Sequence, residues 1–146
     1  MSNIQIKIAA NASEMKDVHS IRSVVFTKEQ NIPAELDIDG KDQKAMNLLV
    51  LIADKPIGTG RLYALNSHIG ELARIAVIQE YRGSGVAKLI IEKLEVLAKQ
   101  QGLKELTLWP HERLTDFYIS LDFKVIHGQK QVVAGYRLIQ MHKILD

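Results

Sequence analysis

Ile4, Ile6 and Ile8 alternate with polar neighbours, a period of two that predicts a strand within Met1 to Ala10. The period then lengthens. Met15, Val18, Ile21, Val25 and Phe26 fall on one face at helical spacing, which predicts a helix from Glu14 to about Gln30, capped by Asn11 or Ser13 and ended by Pro33. Leu48 to Ala53 and Ile57 to Leu65 read as two strands joined at Asp54-Lys55-Pro56, a hairpin. Asn66, Ser67 and Gly70 form the next turn, before a strand from about Glu71 to Val77. Val86, Leu89, Ile90, Leu94 and Leu97 line one side of a helix from Ser84 to Gln101, with Gly102 in the stop position. A short strand, Leu103 to Leu108, ends at Trp109-Pro110. Leu114, Phe117, Tyr118 and Leu121 then recur as a further helix requires. Phe123 to His127 and Val132 to His142 close the chain as a hairpin around Gly128.

The order β-α-β-β-β-α-β-α-β-β predicts one α/β domain over residues 1 to 146, with helices on both faces of a mixed, mostly antiparallel sheet. The first hairpin strands are antiparallel. The connection from the Glu71 strand through the long helix to the Leu103 strand is a parallel, right-handed crossover.

Composition narrows the chemistry. The 146 residues are 47% hydrophobic and 25% charged, the balance of an ordinary folded domain. There is no cysteine, which excludes a disulfide framework, a thiolate metal site and an acyl-cysteine intermediate. The five histidines show no ligand spacing, so no metal is expected. The longest wholly apolar run, Leu48 to Ala53, is too short to cross a bilayer, and the N-terminus lacks the unbroken apolar run of a signal peptide. The expectation is a cytoplasmic protein with no membrane partner. Net charge is +2, and the nineteen Lys and Arg are spread along the chain rather than gathered into an arm, so nucleic acid is not expected either.

The segment with most chemistry is Gln79-Glu80-Tyr81-Arg82-Gly83-Ser84-Gly85-Val86-Ala87, between a strand and the long helix. Amides at a helix start point outward without partners, the helix dipole adds partial positive charge, and glycines let an anion come close to the backbone. Arg82 and Lys88 add full charges. The spacing is that of neither a nucleotide P-loop nor a dinucleotide fingerprint. It fits Q/R-x-x-G-x-G/A, read as Arg82, Gly85 and Ala87; a tight turn with no ligand is the plainer alternative.

This motif, with the preceding Ala73-Arg74-Ile75-Ala76-Val77, resembles the pyrophosphate-binding segment of the GNAT superfamily of acyl-CoA N-acyltransferases. Asp116 to Phe123 is similar to that family's late helix, F-Y-x-x-x-G-F, with Asp122 in place of its glycine. Val25-Phe26-x-x-Glu29-Gln30-Asn31-x-Pro33 followed by Asp37-Ile38-Asp39-Gly40-x-Asp42 resembles the ElaA-like branch, with Asn47 where that branch commonly carries histidine. The resemblance spans essentially the whole chain. It implies acetyl-CoA as co-substrate and an amine, on a small molecule or a protein, as acceptor. It implies that backbone groups of Ile75 and Val77 pair with the acetyl-pantetheine arm. Arg82, Gly83, Ser84, Gly85, Val86, Ala87 and Lys88 would then hold the pyrophosphate, and Tyr118 would be the general acid. Relatives of this kind commonly pair, which leaves a homodimer open, though no segment here marks an interface.

Without cysteine, direct attack of the amine in a ternary complex is the simplest route. An ammonium of pKa near ~10 must first lose a proton, so a carboxylate is expected near the acceptor. Glu71, at the start of the central strand, is the first candidate and Glu35 the second; an exposed strand end explains Glu71 equally well. Arg74 could touch substrate or pair across the sheet, and His111, beyond Pro110, could sit near the acceptor or simply begin the helix. The acidic run Glu35, Asp37, Asp39 and Asp42 could attract a cationic amine or remain a solvated loop. The rival to an enzyme is a catalytically silent acyl-CoA-binding sensor.

Overall fold

The computed structural model describes residues 3–146; Met1 and Ser2, at the start of the first predicted strand, lie outside them. The elements are β1 (Ile4–Ile8), α1 (Ala12–Arg22), a π-helical segment (Ser23–Glu29), α2 (Ala34–Asp37), β2 (Met46–Ile52), β3 (Lys55–Ala64) and β4 (Ile69–Val77). There follow α3 (Val86–Gln100), β5 (Glu105–Leu108), α4 (Thr115–Ile119), β6 (Lys124–Val133) and β7 (Tyr136–Ile144). The strands form a seven-stranded sheet in the order β1-β2-β3-β4-β5-β7-β6. Among the described residues only β4 and β5 pair in parallel, as the crossover through α3 requires.

Asn11 caps α1, its Oδ1 accepting from the Glu14 amide at 2.8 Å while Glu14 accepts from the Ala10 amide at 2.8 Å. Val18, Ile21 and Val25 bury the helix face that the sequence pattern picks out. The helical run reaches Glu29 as expected, but its last seven residues are π rather than α. Wider turns of this kind are frequent at functional sites.

α3 packs on the opposite sheet face. There Gly58 and Gly60 of β3 face the helix, because a Cβ on Gly60 would stand 2.5 Å from Ile90 Cγ2 and 3.2 Å from Leu94 Cδ1. The missing side chains let α3 lie against the sheet, with Val86, Ile90, Ile91, Leu94 and Leu97 buried. α4 shares that side, where Lys143 of β7 pairs with Glu95 of α3 at 2.8 Å.

Two expected turns fall elsewhere. The first hairpin turns on Ala53-Asp54, with φ of 48° and 66°, and Lys55-Pro56 already belong to β3. A two-residue turn of this type needs positive φ at both central positions, and Pro56 cannot supply it. The last hairpin turns at Ala134-Gly135 rather than at Gly128. Gly128 instead takes a φ of 83° within β6, where the register with β7 shifts between Val125 and Lys130.

Candidate active site

β4 and β5 are hydrogen-bonded only from Ile69 to Glu71 and from Glu105 to Thr107. Beyond those residues they part. The cause lies in β4: Arg74 and Ile75 together oppose the single residue Gly60 of β3, a bulge in which Arg74 takes a φ of 55°. A bulge bends its strand away from the regular ladder. The gap is a cleft of about 200 Å³, lined on one side by Leu72, Ala73, Arg74 and Ile75 and on the other by Leu108, Trp109, Pro110 and His111.

The π-helical segment and the loop after it bring Phe26, Gln30 and Ile32 to this cleft; Leu114 reaches it from the turn before α4, Tyr118 from α4, and Tyr136 and Leu138 from β7. Tyr118 is buried, packed edge-on against Phe117 and Phe123 at 5.1 and 5.8 Å. Burial pushes its phenol well above the ordinary value, so the group keeps its proton. His111 is held by an isolated bridge to Leu138 and stacks edge-on against the Tyr136 ring at 4.8 Å. Burial, with the charge of Arg113 as a smaller cause, lowers its pKa and favours neutral imidazole. Tyr136 in turn donates its hydroxyl to Gln30 O at 2.9 Å.

At the end of β4 the chain enters the glycine-rich turn. Gly83 and Gly85 have φ of 78° and 88°, and nothing lies within 4 Å of where a Cβ on either would stand. The first helical bond of α3 is made by Leu89 to Gly85 O at 3.1 Å, so the amides of Val86, Ala87 and Lys88 precede the helical ladder. The open outer face is the one an anion would approach. Arg82 does not point there. Its Nε donates to Val77 O at 2.9 Å and its Nη2 pairs with Glu29, which braces the turn against the π-helical segment. Lys88 is exposed.

Glu35 and Asp39 of the acidic run are exposed, but the run is tied down by ion pairs. Arg22 and Arg61, both 1% exposed, and the partly exposed Arg74 draw it onto the sheet. Arg22 binds Asp37 and Asp42 at 3.0 Å each, and Arg61 binds Asp39 at 2.7 Å and Asp42 at 3.0 Å. Arg74 binds Asp37 at 2.9 Å. Burial works against the charge on Asp39, yet the Arg61 and Arg74 guanidinium groups hold it down to about 2. Asp42, opposed likewise by burial, is held lower still by Arg22, His19 and Arg61. The charges of Asp37, Asp39 and Asp42 are offset by these arginines, which weakens the run as a lure for a cationic amine, while Glu35 stays exposed. Arg74 thus pairs with Asp37 of α2 rather than across the sheet, while still lining the cleft.

Neither carboxylate singled out as a base lines the cleft. Glu71 stands opposite Tyr63 on β3, with Lys41 Nζ at 3.8 Å, and Glu35 is exposed on α2. Gln30, Trp109 and Tyr136 line it without having been singled out for it. They lie far apart in sequence, and only Gln30, within the ElaA-like stretch, carried any signal.

A family model for the acetyltransferase (GNAT) domain matches residues 12–145. The chain belongs to the GNAT family. It is therefore an acyl-CoA-dependent N-acyltransferase. It is 33% identical over 136 residues to YjcF of Bacillus subtilis (strain 168), described as an uncharacterized N-acetyltransferase, covering 93% of this chain and 96% of that one. Escherichia coli ElaA has the same fold, with a TM-score of 0.84 at 24% identity over 98% of this chain and 99% of that one. A GNAT acetyltransferase of Elizabethkingia anophelis, solved with acetyl-CoA bound, superposes with a TM-score of 0.75 at 15% identity, covering 99% of this chain and all of that one.

Both departures of this GNAT domain from the expected motifs have a structural account. Asp122 stands at a φ of 71°, the left-handed conformation for which glycine is favoured and which Asp tolerates. Asn47 is buried and donates from Nδ2 to Asp42 O at 3.0 Å, so its place is in the arginine-aspartate network. No helix of the described residues is long and apolar enough to cross a membrane.

Proposed function

We propose that this GNAT domain transfers the acetyl group of acetyl-CoA to an amine by direct attack in a ternary complex. The observation that carries the reading is the parting of β4 from β5 directly upstream of the open N-terminal turn of α3. An extended pantetheine arm can take the place of the missing strand-to-strand bonds, pairing with the backbone of Ile75 and Val77. The amides of Gly83, Ser84, Gly85, Val86, Ala87 and Lys88 receive the pyrophosphate, with the Lys88 ammonium beside them. The role of Arg82 is to brace this turn, since Val77 O and Glu29 occupy its guanidinium.

The chemistry needs a neutral amine, a polarised thioester and a proton for the departing thiolate. Tyr118 supplies the last. It lines the cleft, and burial keeps its phenol protonated in the free enzyme. With no cysteine in the chain, the acetyl group passes to the amine without a stop on a thiol.

The test is incubation with acetyl-CoA and a panel of polyamines, amino sugars, amino acids and peptides, with acetylated product read by mass spectrometry. Acetylation of one amine class supports the reading and names the acceptor. Acetyl-CoA binding without any product would instead make the domain a silent sensor.

A further inference from the structure

Gln30, His111 and Tyr136 come from three separate parts of the chain and meet at the cleft. Gln30 directly follows the π-helical segment, His111 follows β5, and Tyr136 opens β7. Tyr136 links the other two, through its ring to His111 and its hydroxyl to the Gln30 carbonyl. One atom of this group is left over: Gln30 Oε1 is buried and accepts no hydrogen bond. A buried acceptor without a donor is costly and calls for a partner, and Gln30 is a cleft-lining residue, which puts a ligand N–H within its surroundings. His111 is the one imidazole among the cleft-lining residues. Asp37, the one carboxylate there, is paired to Arg22 and Arg74.

We propose that Gln30, His111 and Tyr136 form the seat of the acceptor nitrogen, where Gln30 Oε1 accepts one N–H and His111 removes a proton as general base. This rests on the acetyl-transfer reading above and moves the base from Glu71 to His111. The ammonium gives a proton to His111, which releases it to solvent. The freed lone pair forms the C–N bond at the thioester carbon and the C–S bond breaks. The thiolate takes the proton of Tyr118, and the proton shed by the new amide nitrogen restores that phenol. The charged or titratable groups around His111 are Arg113 and Glu112 on its own turn, Tyr136 across the stack, and Asp37, Arg74 and Tyr118 on the other cleft walls.

The experiment compares wild type, His111→Gln, Gln30→Met and Glu71→Gln on two acceptors: a strongly basic aliphatic amine and a weakly basic one, such as a hydrazide, that is already neutral at assay pH. For His111→Gln, kcat on the aliphatic amine should fall by about 10² or more, the usual contribution of a positioned base. On the weak base most activity should survive, and the KM for acetyl-CoA should not move. Gln30→Met should raise the KM for both amines and leave that for acetyl-CoA unchanged, which tests the seat even where the histidine variant folds poorly. An equal loss on both amines in His111→Gln, or full activity on both, would overturn the role of His111. A selective loss in Glu71→Gln would return the base to Glu71. A wild type that acetylates nothing would overturn the underlying reading as well, which separates the two failures.

Discussion

The Tyr136 hydroxyl donates to Gln30 O at 2.9 Å across 106 residues of chain, and so joins the wall of the cleft built on β7 to the wall built on the π-helical segment. Tyr136→Phe keeps the ring against His111 and removes only this bond. The expected cost is about 1 kcal/mol, the net worth of a typical hydrogen bond, or roughly 2–4 °C in melting temperature for a domain of this size. Thermal melting checks the first part. Steady-state kinetics check the second: the KM for the amine rises while that for acetyl-CoA holds.

Tyr118→Phe should lower kcat by about 10² or more, the range for loss of a positioned acid, with acetyl-CoA affinity intact. The ring packs between Phe117 and Phe123 and its hydroxyl has no protein partner among the described residues, so the variant should fold normally. Unchanged turnover would assign the thiolate's proton to another donor.

Arg61→Met removes a buried cation from Asp39 and Asp42. Breaking a buried pair from one side costs about 3–5 kcal/mol, and urea denaturation should show a loss of that order. The acid limit of stability should shift as well. Asp39 has a folded pKa of about 2 against an ordinary 3.8, and Asp42 lies lower still. Each depressed carboxylate contributes stability that is full above the unfolded value and is lost as pH falls from about 4 towards 2 and below. Without Arg61 both folded values rise, so acid unfolding should begin at higher pH than in wild type. An unchanged acid midpoint would show that the network contributes little.

Gly60→Val tests the contact between α3 and the sheet. The new Cβ would stand 2.5 Å from Ile90 Cγ2, closer than packed side chains allow, so Ile90 or the helix must move. Overpacking of this kind costs about 1–3 kcal/mol, measurable by urea denaturation. Because α3 also carries the glycine-rich turn, acetyl-CoA affinity should fall with it.

Periodicity carried most of the fold. Alternation at Ile4, Ile6 and Ile8 and the face Val86, Ile90, Leu94 and Leu97 specify their elements locally, and the element order then dictates a mixed sheet with one parallel pair. What a single stretch does not determine was read less well. The face from Val18 to Phe26 looks the same whether the helix is α or π in its last turns. Gly128 and Gly135 carry the same turn signal, and packing of the full β6 and β7 decides between a bulge and a turn. Arg22 and Arg61 are buried because Asp37, Asp39 and Asp42 fold back onto them, a long-range pairing that residue type alone argues against. An arginine inside β3, flanked by Gly60 and Leu62, was the available signal. The glycine-rich turn was legible because its chemistry is local. Gln30 and Tyr136 were not, and His111 was readable only as one of two alternatives, because the cleft that gathers them exists only once β4 has parted from β5.

The most direct measurement is release of free thiol from acetyl-CoA over the amine panel, for wild type and for Gly85→Glu. The protein has no cysteine, so the signal comes from coenzyme A alone. At Gly85 the substitution places a carboxylate where the pyrophosphate is expected, on a residue whose φ of 88° disfavours any side chain. Acetyl transfer requires thiol release with at least one amine in wild type and none in the variant. Equal release from both would contradict the assignment of the turn, and no release from wild type with no stabilisation by acetyl-CoA would contradict acetyl transfer itself.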